Sequence, residues 1–169
     1  MPGTPISSIG LWSSTSNVSM PVARSSHASR ANCGLSVIGS AVSSSRLGGM
    51  DIYMASAHAG DRFGEAVIVE SLSTPFEDID PSLSRDGREI FFGSDRAGTI
   101  GNIDLWTATR AGRGHEWSEP ASLGPVINTP FFDGGAALSF DGRELYFQSA
   151  FRQGNVGGPM FDVWVTRRD

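Results

Sequence analysis

Two similar phrases decide the fold of this chain: "SLSRDGREIFFGSDRAG" at residues 82–98 and "ALSFDGRELYFQSAFRQ" at residues 137–153. The second phrase begins 55 residues after the first, so the chain repeats one structural unit. Within each phrase an Asp-Gly pair separates two extended runs, and this pair favours the positive φ angles of a tight hairpin turn. The runs "EIFF" and "ELYF" are continuously apolar, which predicts strands buried on both faces.

The similarity continues beyond these phrases. "GNIDLWTATR" at 101–110 matches "GPMFDVWVTR" at 158–167 and, earlier in the chain, "GGMDIYMASA" at 48–57. In this alignment the acids are Asp51, Asp104 and Asp162, and the aromatic residues two positions later are Tyr53, Trp106 and Trp164. Such an Asp, just before a buried strand, is expected to accept backbone N–H bonds or to pair with an Arg. The Arg candidates in the same loops are Arg46, Arg96 and Arg152.

Each unit contains four short extended segments separated by Gly, Asp or Pro turns. In the central unit these segments are expected near 80–84, 89–95, 103–110 and 119–124. The period and the strand content predict an all-β protein of β-propeller type, with antiparallel four-stranded blades stacked face to face around an axis. A solenoid is the alternative, but four antiparallel strands per repeat fit it poorly.

The repeats divide into 46–79, 80–134 and 135–169, which gives two to three blades. Closed propellers have about four to eight blades, so the expected ring is incomplete. Three explanations stay open: a piece of a longer protein, a homo-oligomer that completes the ring, or an open partial propeller. The last unit stops after its third strand, and its outer strand could come from another region or another subunit.

The repeats resemble a known family. "SRDGREIFFGSDR…GNIDLW" and "SFDGRELYFQS…FDVW" resemble the TolB-type, WD-like β-propeller repeat of bacterial envelope proteins, over about residues 46–169. The resemblance implies a periplasmic or extracellular location, although the chain shows no signal peptide. It does not imply one activity, because this fold hosts many functions.

Residues 1–45 differ from the rest of the chain. They contain 14 serines, and the first acidic residue of the whole sequence is Asp51. Three interpretations stay open for this segment: a poorly ordered Ser-rich arm, a degenerate repeat, or a targeting peptide. The stretch "NCGLSVIGSAVSSSRLGG" at 32–49 is similar to a damaged copy of the repeat, with Cys33 where the turn Asp is expected.

Composition limits the function classes. A net charge of −5 argues against a nucleic-acid partner, and no apolar stretch reaches the length needed to span a membrane. With a single cysteine, an internal disulfide and a thiolate metal cluster are excluded. We expect no cofactor and no metal, and the three histidines follow no metal or triad spacing. His115 is expected in an exposed turn.

Topology predicts where binding would occur. In a four-stranded meander, loops 95–103 and 151–160 emerge on the same rim as 74–80 and 128–135, and loops on a rigid scaffold commonly carry function. The candidate residues of this binding rim are Asp78, Asp80, Asp95, Arg96, Asn102, Phe131, Phe132, Asp133, Phe151 and Arg152. The alternative interpretation is that the phenylalanines close the core and the carboxylates cap turns.

The resulting hypothesis is a non-catalytic repeat module that binds a protein partner in the bacterial envelope. An alternative is the propeller part of an enzyme that acts on glycans or peptides, motivated by the carboxylates Asp78 and Asp80. A third is a non-functional fragment of a longer propeller gene.

Overall fold

The computed structural model describes residues 15–17, 40–44, 49–58, 62–156 and 160–169. Within these ranges every regular element is a β-strand, so the predicted all-β class is confirmed. No helix that could cross a membrane occurs in them. The strands are β1 Thr15–Asn17, β2 Ser40–Ser44, β3 Asp51–Ala55, β4 Ala57–His58, β5 Arg62–Phe63, β6 Val67–Ile68, β7 Asp78–Leu83, β8 Glu89–Ser94, β9 Asp104–Thr109, β10 Ala121–Ser122, β11 Asp133–Leu138, β12 Glu144–Ala150 and β13 Phe161–Arg167.

The central unit forms a four-stranded antiparallel meander. Its strand order is β10-β9-β8-β7, so neighbours in sequence are neighbours in space. All four strands lie within two residues of the predicted segment starts. Short Gly- and Asp-containing turns make this order the simplest one available to the chain.

The turns between β7 and β8 and between β11 and β12 have the same construction. In the first, the Gly87 N–H donates to the carbonyl of Ser84 at 2.9 Å, and φ is +71° at Gly87. Gly142 repeats this with φ +75°. The positive φ predicted for the Asp-Gly pair is found only at the glycine. Asp86 instead accepts hydrogen bonds from the Ser84 hydroxyl at 2.7 Å and from the Arg88 N–H at 3.1 Å.

These turn carboxylates are stabilised in their charged form. Burial acts to raise the pKa of Asp86, but the hydrogen bonds from Ser84 and Arg88 outweigh it and hold the pKa below its ordinary value. At Asp141 the bond from the Ser139 hydroxyl is the largest cause and lowers the pKa likewise. Because both folded-state pKa values lie below the unfolded ones, the stability they contribute is present above about pH 4 and is lost as the pH falls through the folded values.

We therefore expect the variant Asp86→Asn/Asp141→Asn to be less stable than the parent chain at neutral pH, with this difference vanishing in acid. Chemical denaturation at a series of pH values between 7 and 2 measures it. Arg85→Gln changes the same turn without removing a carboxylate and is the control, whose stability relative to the parent should not depend on pH in this range. A double variant whose deficit stays constant down to pH 2 would contradict the assignment.

The last unit receives its fourth strand from the other end of the chain. The sheet order is β1-β13-β12-β11, and β1 pairs antiparallel with β13, with Thr15 opposite Thr166 and Asn17 opposite Trp164. Of the two sources left open for the outer strand, another region of the same chain supplies it, as residues 15–17. This pairing covers an edge that would otherwise expose free backbone groups.

The first unit contributes the sheet β2-β3-β6, and β4 and β5 form a separate two-stranded hairpin. Ser44 stands opposite Asp51 in the same way that Ser94 stands opposite Asp104, so β2 and β3 correspond to β8 and β9. Two strands, β1 and β2, therefore come from the Ser-rich segment 1–45. The proposed turn at Cys33 and the candidate partner Arg46 lie outside the described residues.

The central sheet is apolar on both faces. Ile90 and Phe92 pack with Ile52 and Leu72 of the first unit, and Phe91 between them packs on the opposite side against the last unit. All four side chains of the "EIFF" run are buried or half-buried, and Ile90, Phe91 and Phe92 are fully buried, as predicted. The three large sheets therefore lie face to face, with the central one covered twice.

The same prediction is wrong for "ELYF" in β12. Leu145 and Phe147 are buried against the central sheet, but Tyr146 between them is only half-buried. Among the described residues no further sheet packs on that second face. Tyr146 instead donates its hydroxyl hydrogen to Glu144 at 2.6 Å.

Candidate binding rim

Within the described parts of the chain, the loops that were predicted to share a rim do lie together. The Asn102 N–H donates to the Phe131 carbonyl at 3.1 Å, and the Asp133 N–H donates to the Ile103 carbonyl at 2.9 Å. The second loop of the central unit is thereby joined to the segment that leads into the last unit. This backbone pairing joins the two segments at the base of the rim.

The ten predicted residues separate by depth. Asp78, Asp133 and Arg96 are buried, Asp95, Phe132 and Arg152 are half-buried, and Asp80, Asn102, Phe131 and Phe151 are exposed. The exposed ones form the accessible surface of the rim. The buried charged residues form a network beneath it.

Asp78 is the centre of that network. Its Oδ2 accepts hydrogen bonds from the N–H and the hydroxyl of Thr74, at 2.7 and 2.8 Å. Its Oδ1 accepts from the Ser94 hydroxyl at 2.7 Å and from the Arg96 guanidinium at 2.5 Å. Both oxygens of this fully buried side chain therefore accept two hydrogen bonds each.

Arg96 is held from several sides. Its guanidinium donates to the Leu72 carbonyl at 2.7 Å and lies over the rings of Phe92 and Trp106, at 4.7 and 5.5 Å from their centres. The predicted pairing of Arg96 with Asp104 is wrong, because the guanidinium reaches the first strand of its own unit instead. A buried cation in this setting needs a carboxylate close to it.

Asp104 has the other predicted role, that of tying a loop. It accepts hydrogen bonds from the backbone N–H groups of Ile100 at 2.7 Å and Gly101 at 3.2 Å. Burial raises the pKa of Asp104, and the nearby negative charge of Asp133 raises it further. The two hydrogen bonds act to lower the pKa but do not outweigh these effects. Asp104 thus shapes the rim loop from inside.

The last unit repeats the network in a looser form. Asp133 accepts from the N–H and hydroxyl of Thr129 at 2.6 and 2.7 Å, but the Arg152 guanidinium stays 3.8 Å from it. Arg152 donates to the Ile127 carbonyl at 2.6 Å and lies over the Trp164 ring at 4.8 Å. Burial lowers the pKa of Arg152, and the Asp133 charge opposes that effect.

Aromatic side chains dominate the exposed part of the rim next to the last unit. The rings of Phe131 and Phe151 are 5.4 Å apart and tilted, and those of Phe132 and Phe161 meet edge to face at 5.2 Å. We call these four residues the aromatic rim cluster. Phe131, Phe151 and Phe161 keep 42%, 54% and 49% of their surface exposed, so they do not close the core.

Phe151 has an uncommon backbone. Its φ is +54°, a left-handed conformation that costs a bulky side chain about 1 kcal/mol or more. Ala150 and Arg152, on either side of it, correspond to Asp95 and Arg96 in the central unit. Because those two residues are adjacent, Phe151 is an insertion in the last unit. The inserted phenylalanine is therefore held outward next to Phe131 by its surroundings. Such strain is found preferentially at functional positions.

The neighbouring part of the rim is acidic. Asp95 accepts the Glu77 N–H at 2.8 Å, and exposed Asp80 occupies a β-bulge with φ +50°, where the last unit has Gly135 with φ +60°. Among the described residues no three His, Cys, Asp or Glu side chains are grouped to hold a metal ion.

Sequence reasoning missed Thr74, Thr129 and Phe161. The two threonines occur 55 residues apart in "STPF" and "NTPF", and this recurrence could have identified them as ligands of the aspartates. Phe161 shows no such signal, because it contacts Phe132 only through tertiary packing. His115, by contrast, lies in the exposed loop between β9 and β10 where it was expected.

In comparisons with known proteins, neither a protein-family model nor a curated protein matches the chain.

Proposed function

We propose that this chain is a β-propeller-type repeat module without catalytic residues, and that it binds a protein partner through the aromatic rim cluster. The propeller arrangement is supported by the three face-to-face sheets and by the contact of the first strand β7 with both β2 and β11. The resemblance of the repeats to TolB-type propellers supports a place in the bacterial envelope.

One observation carries the binding proposal: exposed Phe131 and Phe151 pack on each other above a buried ionic network, and Phe151 is held there at positive φ. Aromatic residues that are rigid and exposed are typical anchors of protein–protein interfaces. The acidic residues Asp80 and Asp95 beside them would favour a partner with a basic or polar margin.

We expect Phe131→Ser/Phe151→Ser to weaken partner binding by at least about 30-fold, because even one aromatic hot spot contributes about 2 kcal/mol or more. The tagged chain would first be used to isolate a partner from envelope extract, and the affinity of the purified pair would then be titrated. Phe140→Ser is the matched control, since Phe140 is 71% exposed but lies in the turn on the opposite rim.

Thermal melting monitors the fold of each variant. Serine at 131 and 151 removes no buried core side chain, so the melting temperature should stay within a few degrees. Equal affinity of the rim variant and the parent chain would refute the proposal, and so would equal loss in the Phe140 variant.

A further inference from the structure

A groove of about 470 Å³ lies at the rim opposite the aromatic rim cluster, between the first and the central sheet. Its apolar wall includes Met54, Val69 and Trp117, and its polar wall includes Arg110, Arg113 and His115. Two arginines thus line this groove in a chain with a net charge of −5.

Arg110 occupies the same structural position as Arg168 in the last unit. The N–H of Arg110 donates to the Arg88 carbonyl, and the N–H of Arg168 donates to the Arg143 carbonyl. The Nε atoms of the two arginines donate to the carbonyls of the turn glycines, Gly87 at 2.6 Å and Gly142 at 2.8 Å. The repeat therefore presents both guanidinium groups toward the preceding sheet in the same way.

At the later junction this guanidinium holds a carboxylate. Nη1 and Nη2 of Arg168 each donate to one oxygen of Glu89 at 2.7 Å, and Glu89 is the first residue of β8 in the preceding sheet. This two-pronged geometry is the preferred way for an arginine to bind a carboxylate.

At the earlier junction the equivalent strand of the preceding sheet has no carboxylate to offer. The strand that corresponds to β8 is β2, and residues 1–50 contain no Asp or Glu at all. Within the described ranges no carboxylate approaches the guanidinium of Arg110 or Arg113 to 4.0 Å, although Glu70 and Glu116 also line the groove.

The surroundings favour an external anion. Arg110 lies over the ring of Trp117 at 4.3 Å, and Arg113 reaches the same turn, where its Nε donates to the Asp86 carbonyl at 3.4 Å. Burial lowers the pKa of Arg110, and the charge of Arg113 adds to this. A bound carboxylate would relieve the repulsion between the two cations, while Trp117 and Met54 offer apolar contacts beside them.

We propose that this groove binds the carboxylate of a small organic acid with an apolar body. Arg110 holds the carboxylate as Arg168 holds Glu89, Arg113 adds the second positive charge, and the apolar wall packs against the ligand body. The site is independent of the aromatic rim cluster.

The probes are N-acetyl-leucine and its uncharged amide, which differ only at the carboxyl group. Isothermal titration of the full chain should give a dissociation constant of about 1–10 mM for the acid and no measurable binding of the amide. Arg113→Gln should weaken binding about fivefold, and Arg110→Lys about tenfold, because lysine keeps the charge but cannot form two parallel bonds.

Arg85→Gln, in the turn below β7, and the Phe131→Ser/Phe151→Ser variant should bind the acid like the parent chain. Thermal melting of each variant shows whether its fold is kept. The proposal is overturned if acid and amide bind alike, if the acid does not bind at 50 mM, or if Arg113→Gln has no effect. Inorganic phosphate that displaces the acid at equal concentration would also overturn it, since the site would then select charge rather than a carboxylate.

Discussion

Asp78→Ala is expected to lower the free energy of unfolding by about 3–5 kcal/mol, because it leaves the Arg96 guanidinium buried without its counter-ion. Arg96 is only 8% exposed and Asp78 is not exposed at all, so water cannot replace the lost carboxylate. The substitution also leaves the N–H and hydroxyl of Thr74 without their acceptor. Chemical denaturation followed by tryptophan fluorescence measures the loss.

Asp133→Ala is the matched control at the equivalent position. Arg152 is 3.8 Å from Asp133 and also donates to the carbonyls of Val126 and Ile127, so its charge depends less on the carboxylate. The loss should therefore be clearly smaller than at Asp78. In addition, Asp78→Ala should lower the free energy of unfolding by less in an Arg96→Met background than in the parent chain. In that background no buried cation is left without its carboxylate. Equal losses at Asp78 and Asp133, or additive losses at Asp78 and Arg96, would contradict this account.

Gly101→Ala is expected to destabilise the chain by about 3 kcal/mol or more, since a methyl group at this position has no room. A Cβ atom there would lie 2.1 Å from the Phe131 carbonyl oxygen and 2.5 Å from that of Thr129. Both obstacles are backbone atoms, which cannot rotate away. The backbone of the rim loop would have to separate from the segment that leads into β11.

Gly112→Ala is its control. The nearest atom to a Cβ at Gly112 is the His115 Nδ1 at 3.4 Å, the end of an exposed side chain. We expect a change within about 0.5 kcal/mol. Thermal and urea unfolding of both variants provide the measurement, and a Gly101 variant as stable as the Gly112 variant would show that the two loops are not in contact.

The repeat made much of the fold predictable. The Asp86-Gly87 turn and the apolar run that follows it are local features. They allowed the starts of the four strands of the central unit to be predicted to within two residues. The aligned aromatic residues Tyr53, Trp106 and Trp164 are all buried, with 6–8% exposure. Such periodic patterns are readable because each unit repeats the same contacts.

The candidate site was less predictable. The proximity of the rim loops follows from the meander topology and could be predicted. The burial of each rim side chain could not be predicted. Asp78 and Asp80 look alike in the sequence, yet one is fully buried in an ion pair and the other is exposed on a bulge. A shift of pairing between Ile79 and Ser82 produces that difference, and no local signal announces it.

The sequence alone determined the class of this protein: an antiparallel β repeat of about 55 residues, whose central strand is apolar on both faces. That information is local, since it depends on turn residues and strand periodicity. Tertiary structure alone decided that β1 completes the last sheet, that Arg96 pairs with Asp78, and that no carboxylate of the described residues lies within 4.0 Å of the Arg110 guanidinium. These are contacts between residues far apart in the chain, and their energies depend on burial and geometry that a linear pattern does not contain.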